Sequence, residues 1–416
     1  MLVFNSLGSN YDFRFVLQAL GLLLGLGSSQ PAQAELKKQL VGQWSGQVEL
    51  VSKGRDAIEL ILEQLEISQD EAVLTQAFSC YAIEEAILRT GATPVYLDLE
   101  PGKLYFTVKQ LKQKLDQLKE QKIKPRAVLV QYSLGYPAPI KQIRKFCQAN
   151  QLYLIEDLAQ AYGAEDLNRE PLGQRGDALV LSFGRDKILD AVSGGALVLK
   201  KSVDSRGSVL SGELDQPLLQ TSAPTNKLLI YPFLTWLIRK TYWLGLGKLL
   251  HRLAVGLGLV ASSVKSDSDY YSAMPAKLAP LVLTQLEQLA DQLEHRRKLA
   301  HVYFNSLKDL GELQLPITRD EISRGANQRF PLLVSDPDKL IQYLAKNGVH
   351  LYDRWYRQPV DSGRLQLKSV YQPGSCPEAE KVAAQMVNLP THQNLSLDQA
   401  LEVSQLVKQF FEETKQ

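Results

Sequence analysis

The stretch LSFGRDKILDAVSGGALV (residues 181–198) places one lysine between two runs of apolar residues. Ser182 closes the first run, Lys187 follows in a polar turn, and a Gly-Gly pair opens the second run. Most lysines are solvated surface groups, so a surface role is one interpretation. The other is a reactive amine held at the edge of a sheet, and the flanking sequence decides between them.

Short apolar runs alternate with helical patterns from about residue 50 to residue 200. Strands are predicted at 72–78, 93–99, 126–133, 152–158, 178–184 and 195–200. Amphipathic helices are predicted at 56–65, 82–91, 107–121 and 140–151. Unbroken apolar strands that alternate with helices indicate a mostly parallel central sheet with helices on both faces. The predicted fold class is therefore α/β.

The chain is long enough for two domains, and its pattern divides into four segments. An N-terminal helical segment (1–50) precedes a large, sheet-containing domain (51–226), and an apolar, basic insertion follows at 227–265. Residues 266–416 begin with a long helix, predicted over 276–310, and end in a smaller α+β C-terminal domain.

The N-terminal segment also resembles a secretory signal peptide. Residues 15–35 have a leucine-rich centre and an Ala-Gln-Ala sequence before Glu35. Against that interpretation, a single arginine precedes the apolar run, beside Asp12, and cleavage after Ala34 would leave little chain before the first domain strand. A helix that packs on the body of the protein is the favoured alternative.

The composition excludes several classes of function. A formal net charge of +2 gives no electrostatic basis for binding nucleic acid. The three cysteines are far apart, which predicts a reducing, cytoplasmic compartment and no disulfide framework. The five histidines lack the spacing of a metal-binding motif, so no metal site is expected.

A lysine that carries pyridoxal phosphate needs a carboxylate at the pyridine nitrogen, a phosphate cradle and support for the ring. Asp157 closes an apolar run at the same predicted sheet edge as Lys187, although a strand-end aspartate is also a common helix N-cap. Gly54 begins a predicted helix, whose free N–H groups suit a phosphate, and Ser182 offers a hydroxyl. An ordinary turn and a plain strand end are the alternatives for these two residues.

Together these motifs resemble those of the DegT/DnrJ/EryC1/StrS family of sugar aminotransferases, which are fold-type-I pyridoxal-phosphate enzymes. The similar stretches are TGATPVYLDLE (90–100), LIEDLAQAYGAE (154–165) and PLGQRGDALVLSFGRDK (171–187). The resemblance runs from about residue 40 to the end, except for residues 200–265. It implies that residues 51–226 form the cofactor-binding domain.

The resemblance also implies a role for each matching residue. Lys187 would bind the cofactor covalently and act as the general base, and Asp157 would pair with the pyridine nitrogen. Gln160 would lie beside the phenolic oxygen of the ring. Ser182 and the turn at Gly54 would hold the phosphate.

Three features depart from the family pattern. Arg55 stands where threonine or serine is usual after the phosphate-turn glycine, and an arginine can also pair with phosphate. The ring-stacking aromatic aligns with Cys80, so its neighbour Tyr81 is a candidate for the ring contact. The family's Asn-Tyr-Arg motif, which reaches the partner subunit's site, is Tyr-Ser-Ala at 271–273.

The resemblance implies an aminotransferase that converts a keto-sugar, expected to be nucleotide-linked, into an amino sugar. Glutamate or glutamine would be the donor, and the product would serve polysaccharide or cell-surface glycan biosynthesis. A homodimer is implied because family members build each active site from two chains. A lysine at 187, where the dehydratase branch has histidine, favours transamination. The alternative is a catalytically impaired homologue that acts as a binding or regulatory subunit.

The insertion supports a separate prediction. No aspartate or glutamate occurs from residue 216 to 266, and residues 227–260 combine basic side chains with Trp236, Tyr242 and Trp243. Its uncharged runs are shorter than the roughly 18–20 residues that a spanning helix needs. Basic, aromatic helices of this kind lie in the membrane interface. We expect peripheral contact with the cytoplasmic face of the inner membrane, and packing on the body or on a partner subunit is the alternative.

Overall fold

A computed structural model describes residues 2–200, 225–260, 271–351, 354–365 and 367–414, with the backbone alone for Arg364. The boundary predicted at 265/266 lies outside these residues. The strands are β1 (Val3–Phe4), β2 (Gly46–Val51), β3 (Glu71–Gln76), β4 (Thr93–Leu97), β5 (Lys124–Gln131), β6 (Tyr153–Asp157), β7 (Ala178–Ser182), β8 (Gly195–Lys200), β9 (Leu313–Gln314), β10 (Arg329–Val334), β11 (Val349–His350) and β12 (Met386–Pro390). The helices are α1 (Phe13–Leu23), α2 (Ser29–Trp44), α3 (Gly54–Gln64), α4 (Tyr81–Arg89), α5 (Val108–Gln121), α6 (Ile140–Ala149), α7 (Thr225–Lys240), α8 (Leu246–Gly256), α9 (Ala279–Glu287), α10 (Leu289–Leu307), α11 (Arg319–Arg324), α12 (Pro337–Lys346), α13 (Pro377–Gln385) and α14 (Leu397–Thr414).

The large domain is built on a seven-stranded sheet with the order β2-β8-β7-β6-β5-β3-β4. Neighbouring strands from β4 to β7 are parallel, whereas β8 runs antiparallel to both of its neighbours, β7 and β2. Each strand predicted from the sequence coincides with one of these strands, because buried parallel strands consist of unbroken apolar runs. The predicted α/β fold with a mostly parallel sheet is confirmed.

Helices cover both faces of this sheet. Apolar residues of α3 and α4 pack on one face, and those of α2, α5 and α6 pack on the other. Val73 and Leu74 are adjacent in β3 but belong to different cores. Val73 lies in the core that contains α3 and α4, and Leu74 lies in the core that contains α2, α5 and α6. Alternate side chains of a strand point to opposite faces, and both faces are buried here.

The sheet begins earlier than the sequence predicted. Residues 1–50 were expected to be helical, yet β2 starts at Gly46 and pairs with β8. A methyl group at Gly46 would lie 2.6 Å from the carbonyl oxygen of Leu199, so this edge pairing requires glycine. The last residues of the predicted N-terminal segment therefore belong to the large domain's sheet.

The small domain packs helices on the antiparallel sheet β12-β10-β9. The single long helix predicted over 276–310 is instead two helices, α9 and α10, separated at Gln288. The two helices have different partners, because α9 packs on α2 of the large domain and α10 packs on α14 of the small domain.

The N-terminal residues tie the two domains together. β1 pairs in parallel with β11, and Nε2 of His392 donates a hydrogen bond of 2.8 Å to the carbonyl oxygen of Phe4. Helix α1 packs on α7 and buries Phe15 and Val16. The segment from 15 to 35 thus forms helices on the body of the protein, which is the interpretation that the sequence favoured.

The insertion forms two helices of different character. α7 buries Leu229 and Ile238 completely, so this half of the insertion is part of the body. α8 leaves Leu249 and Leu253 each 53% exposed, and Trp243 before it is 75% exposed. Within the described ranges, no helix combines the length and apolar character needed to cross a membrane.

Candidate active site

The structure brings Asp157, Ser182 and Lys187 to one edge of the sheet. β6 ends at Asp157, and the parallel strand β7 ends at Ser182. Lys187 lies in the turn that follows β7, with its backbone N–H donating to the carbonyl oxygen of Gly184 at 3.3 Å. Carboxyl ends of parallel strands form the usual ligand edge of such a sheet, as the sequence analysis expected.

Asp157 and Lys187 form the electrostatic centre of this edge. Burial raises the pKa of the Asp157 carboxyl, while the backbone N–H of Ala159, at 2.9 Å, and the Lys187 charge oppose that shift. Burial lowers the pKa of Lys187, while Cys80 and the carboxylates of Asp157 and Asp186 oppose it. A lysine with a lowered pKa is more easily converted to the neutral amine, which is the nucleophilic and basic form.

The turn at Gly54 forms a cradle against Ser182. A methyl group at Gly54 would lie 3.1 Å from Cβ of Ser182, and one at Gly195 would lie 3.0 Å from the Gly54 nitrogen. α3 starts here, and its cap residue Lys53 makes no side-chain hydrogen bond to the helix start. The first-turn N–H groups and the helix dipole therefore lie beside a hydroxyl, where Gly54 and Gly195 allow a close approach of the backbone, which suits a phosphate.

The Arg55 side chain does not lie in that cradle. Its guanidinium pairs with Glu85 of α4, and Arg89 joins the same group through Glu85 at 3.1 Å and Glu59 at 3.4 Å. The side chain predicted for phosphate binding thus links α3 to α4.

Gln160 hydrogen-bonds a phenolic oxygen that the sequence analysis did not identify. Its Nε2 donates to the Tyr356 hydroxyl at 2.7 Å, and Gln131 Nε2 approaches the same oxygen at 3.3 Å. Oε1 of Gln160 accepts from the backbone of Leu134 at 2.6 Å, which fixes the amide. The Tyr356 ring, edge-on to Phe78 at 5.1 Å, thus reaches the sheet edge from the small domain. The only sequence signal for it is the aromatic pair in RWYRQP.

Cys80, the N-cap residue of α4, lies close enough to Lys187 for their charges to interact. The Cys80 thiol has its pKa raised by burial, and the Lys187 ammonium opposes that shift. Tyr81 is the first residue of α4, and the charges that act on its hydroxyl are Glu85, Glu84, Arg55 and Arg89. A ring contact by Tyr81 stays a prediction.

Residues 271–273 lie beside the phosphate turn of their own chain. The carbonyl oxygen of Ser272 accepts from the Ser52 backbone at 2.8 Å, and the two hydroxyls are 3.0 Å apart. Ala273 bridges Val51 at the end of β2. The segment in the position of the Asn-Tyr-Arg motif thus lines the approach to Gly54.

These residues fit pyridoxal phosphate. The glycine cradle with Ser182 and the α3 N–H groups would hold the phosphate, and Asp157 would face the ring nitrogen. Lys187 would bind the cofactor covalently. When bound, pyridoxal phosphate supplies a carbonyl carbon that accepts and releases amino groups and a ring that withdraws electrons.

The sequence profile of the DegT/DnrJ/EryC1/StrS aminotransferase family matches residues 42–205 and 262–408. The chain belongs to this family. The two matched ranges leave out α7 and α8, so the insertion is not part of the family pattern. The predicted family, fold class, cofactor and enzyme class, a pyridoxal-phosphate-dependent aminotransferase, are confirmed.

Individual relatives agree with this assignment. GDP-perosamine synthase from Escherichia coli O157:H7 is 23% identical over 370 residues, which cover 87% of this chain and 85% of that protein. UDP-N-acetyl-3-dehydro-alpha-D-glucosamine 3-aminotransferase from Acidithiobacillus ferrooxidans is 34% identical over 150 residues, 36% of this chain and 38% of that protein.

Solved structures show the same fold. A DegT DnrJ EryC1 StrS aminotransferase from Brucella abortus has a TM-score of 0.69 at 22% identity, covering 95% of this chain and 96% of that chain. NtdA from Bacillus subtilis with bound cofactor PMP has a TM-score of 0.67 at 19% identity, covering 97% of this chain and 84% of that chain.

The Lys187 turn is held by a buried carboxylate that sequence reasoning missed, that of Asp190. Its oxygens accept from the Tyr11 hydroxyl at 2.6 Å and from Asn10 Nδ2 at 3.2 Å. They also accept from the backbone N–H groups of Asp186 at 2.7 Å and Val192 at 3.1 Å. The sequence contains a signal for this role, because Asp190 is a charged residue between two buried strands.

Asp190→Ala should destabilise the protein strongly, because four donors, three of them in buried hydrogen bonds, lose their acceptor. We expect a loss of about 3 kcal/mol in the free energy of unfolding, measured by urea denaturation. Tyr11→Phe removes one of these hydrogen bonds and should cost about 1 kcal/mol. Asp12→Ala, which removes a half-exposed N-cap of α1, is the matched control and should also cost about 1 kcal/mol. Equal losses for Asp190→Ala and Asp12→Ala would contradict the role given to Asp190.

Proposed function

We propose that this protein transfers an amino group from glutamate or glutamine to a nucleotide-linked keto-sugar, yielding an amino sugar for polysaccharide or cell-surface glycan biosynthesis. The convergence of Asp157 and Lys187 beside the glycine cradle is the observation that carries the proposal. The relatives named GDP-perosamine synthase and UDP-N-acetyl-3-dehydro-alpha-D-glucosamine 3-aminotransferase support a nucleotide-linked sugar.

Lys187 and Asp157 have separate tasks in this reaction. The neutral amine of Lys187 removes a proton from the substrate carbon and returns it, and burial favours that neutral form. Asp157 would place a negative charge opposite the ring nitrogen of the bound cofactor, and the Ala159 N–H keeps that carboxylate oriented. Partial burial of the edge limits water near the proton in transit.

Lys187→Ala should abolish the visible absorption band that borohydride removes, because no other amine occupies this position. Asp157→Asn should keep cofactor binding but lose amino transfer by several orders of magnitude, since a neutral side chain does not hold the ring nitrogen protonated. Lys200→Ala is the matched control, because Lys200 lies at the opposite end of β8 and donates to the Gly173 carbonyl at 2.6 Å.

The purified protein with added cofactor is the sample, and circular dichroism checks the fold of each variant. A reducible band that persists in Lys187→Ala would show that another lysine carries the chemistry. Wild-type protein without such a band would favour the alternative of an impaired homologue that serves as a binding or regulatory subunit.

A homodimer is part of the proposal. Residues 271–273 lie at the approach to the phosphate turn, where family members are expected to join two chains. Multi-angle light scattering at micromolar concentration should give a mass of at least two chains. Full activity in a monomeric sample would contradict a shared active site.

The exposed face of α8 supports peripheral attachment to the cytoplasmic side of the inner membrane. Leu249 and Leu253 are one helical turn apart and half exposed, and the neighbouring stripe carries the exposed Lys248 and Arg252. Leu257, directly after the helix, is 70% exposed. Apolar side chains beside basic ones match the chemistry of an anionic bilayer surface. Such attachment would place the enzyme near lipid-linked sugar intermediates.

Changing Leu249, Leu253 and Leu257 together to serine should weaken binding to anionic liposomes in a flotation assay. The wild type should float at low salt and less so at high salt, because basic side chains contribute to the attraction. Point variants test this surface better than deletion of residues 227–260, because the deletion would also remove α7, which is part of the folded body. Leu397→Ser with Leu401→Ser, on exposed positions of α14, is the matched control and should float like the wild type. Equal flotation of all three proteins would rule out α8 as the attachment surface.

A further inference from the structure

An aromatic side chain of the small domain lies against Lys187. The centre of the Trp355 ring is 5.1 Å from the Lys187 ammonium nitrogen. Lys187 is the amine that would carry the cofactor, so a ring this close to its nitrogen is also close to a bound cofactor. Trp355 is half-buried, which leaves part of its surface open to contact with a ligand.

The large domain has no comparable ring in the segment from residue 77 to residue 80. The position that aligns with a ring-stacking aromatic is Cys80, and a thiol offers much less contact area than an indole. Phe78 is the one aromatic residue of this segment, and its side chain is completely buried. The Phe78 ring meets the Tyr356 ring edge-on at 5.1 Å, so it packs on the small domain.

The segment that carries Trp355 is attached to this same part of the large domain. Asp361 forms a β-bridge with Cys80, and the Val360 N–H donates to the Ala77 carbonyl oxygen at 2.9 Å. Residues 355–361 therefore run beside residues 77–80, and an aromatic residue on either segment can reach the same edge of the sheet.

Hydrogen bonds fix the backbone of Trp355. Asn388 of β12 accepts from the Trp355 N–H at 2.5 Å and donates to its carbonyl oxygen at 2.9 Å. The next residue, Tyr356, accepts from Gln160 at 2.7 Å. A ring on a fixed backbone loses little conformational entropy when a ligand binds, which favours a binding role.

We propose that Trp355 is a cofactor-binding residue, and that its ring supplies the aromatic contact to pyridoxal phosphate that Cys80 does not provide. Contact between two aromatic rings strengthens binding through dispersion and the attraction of their charge distributions. This inference rests on the cofactor of the family and not on the sugar or the amino donor. It follows that the small domain contributes to the affinity for the cofactor.

Binding of pyridoxamine phosphate to the whole chain, freed of cofactor, tests this inference by calorimetry. That form of the cofactor makes no covalent bond with Lys187, so the measured dissociation constant reports the surrounding contacts. Trp355→Leu keeps an apolar side chain without a ring and should weaken binding about 10-fold. Trp355→Phe keeps a ring and should bind within about twofold of the wild type.

A second readout is the visible circular dichroism of the protein loaded with pyridoxal phosphate. The signal of the bound ring should decrease in Trp355→Leu and persist in Trp355→Phe. Trp243→Leu is the matched control, because Trp243 is 75% exposed and lies outside the segment 355–361, and it should bind like the wild type. Trp355→Met, which is also apolar and without a ring, replaces Trp355→Leu if that variant does not fold.

Equal binding by Trp355→Leu and Trp355→Phe would overturn the inference and leave Tyr81 as the candidate for the ring contact. Tighter binding by Trp355→Leu than by the wild type would also overturn it, because the indole would then occupy the place of the cofactor. Failure of the proposed function alone would differ, since the cofactor would still bind in a Trp355-dependent manner without any amino transfer.

Discussion

The buried carboxylate of Asp190 is the constraint on which the active-site edge depends. Its oxygens accept hydrogen bonds from the N-terminal segment and from both ends of the Lys187 turn. The backbone N–H of Asp190 donates to Gln285 of α9 at 2.6 Å. Burying an unpaired carboxylate is costly, so its donors must stay in place for the fold to persist. The same contacts fix the backbone from which Lys187 projects, so stability and active-site geometry have one source.

The site is formed by both domains. The large domain supplies Asp157, Lys187 and the glycine cradle, and the small domain supplies Trp355 and Tyr356. In this structure Gln160 donates a hydrogen bond to the Tyr356 hydroxyl, and it is expected to lie beside the phenolic oxygen of the cofactor. Tyr356 and the cofactor ring would therefore contact the same Gln160 amide.

The sequence predicted the features of the fold and the site that depend on the local pattern of apolar and polar residues. Buried parallel strands read as unbroken apolar runs, and the rule that ligands bind at the carboxyl edge brought Asp157 and Lys187 together. Contacts between distant segments were not predictable in this way. Arg55 pairs with Glu85 because α3 packs on α4, and Tyr356 meets Gln160 across a separation of 196 residues. The break at Gln288 likewise follows from packing on two domains, which helical periodicity does not record.

The pairing of β1 with β11 has a consequence for the order of folding. Val3 and Phe4 are synthesised before the large domain, yet their partners Val349 and His350 are synthesised after it. Because domains fold as units during synthesis, the large sheet can assemble while the first residues still await β11. Asn10 and Tyr11, which hold the Lys187 turn through Asp190, follow directly after β1. We therefore expect Lys187 to acquire its final surroundings late in folding, after β11 has been synthesised.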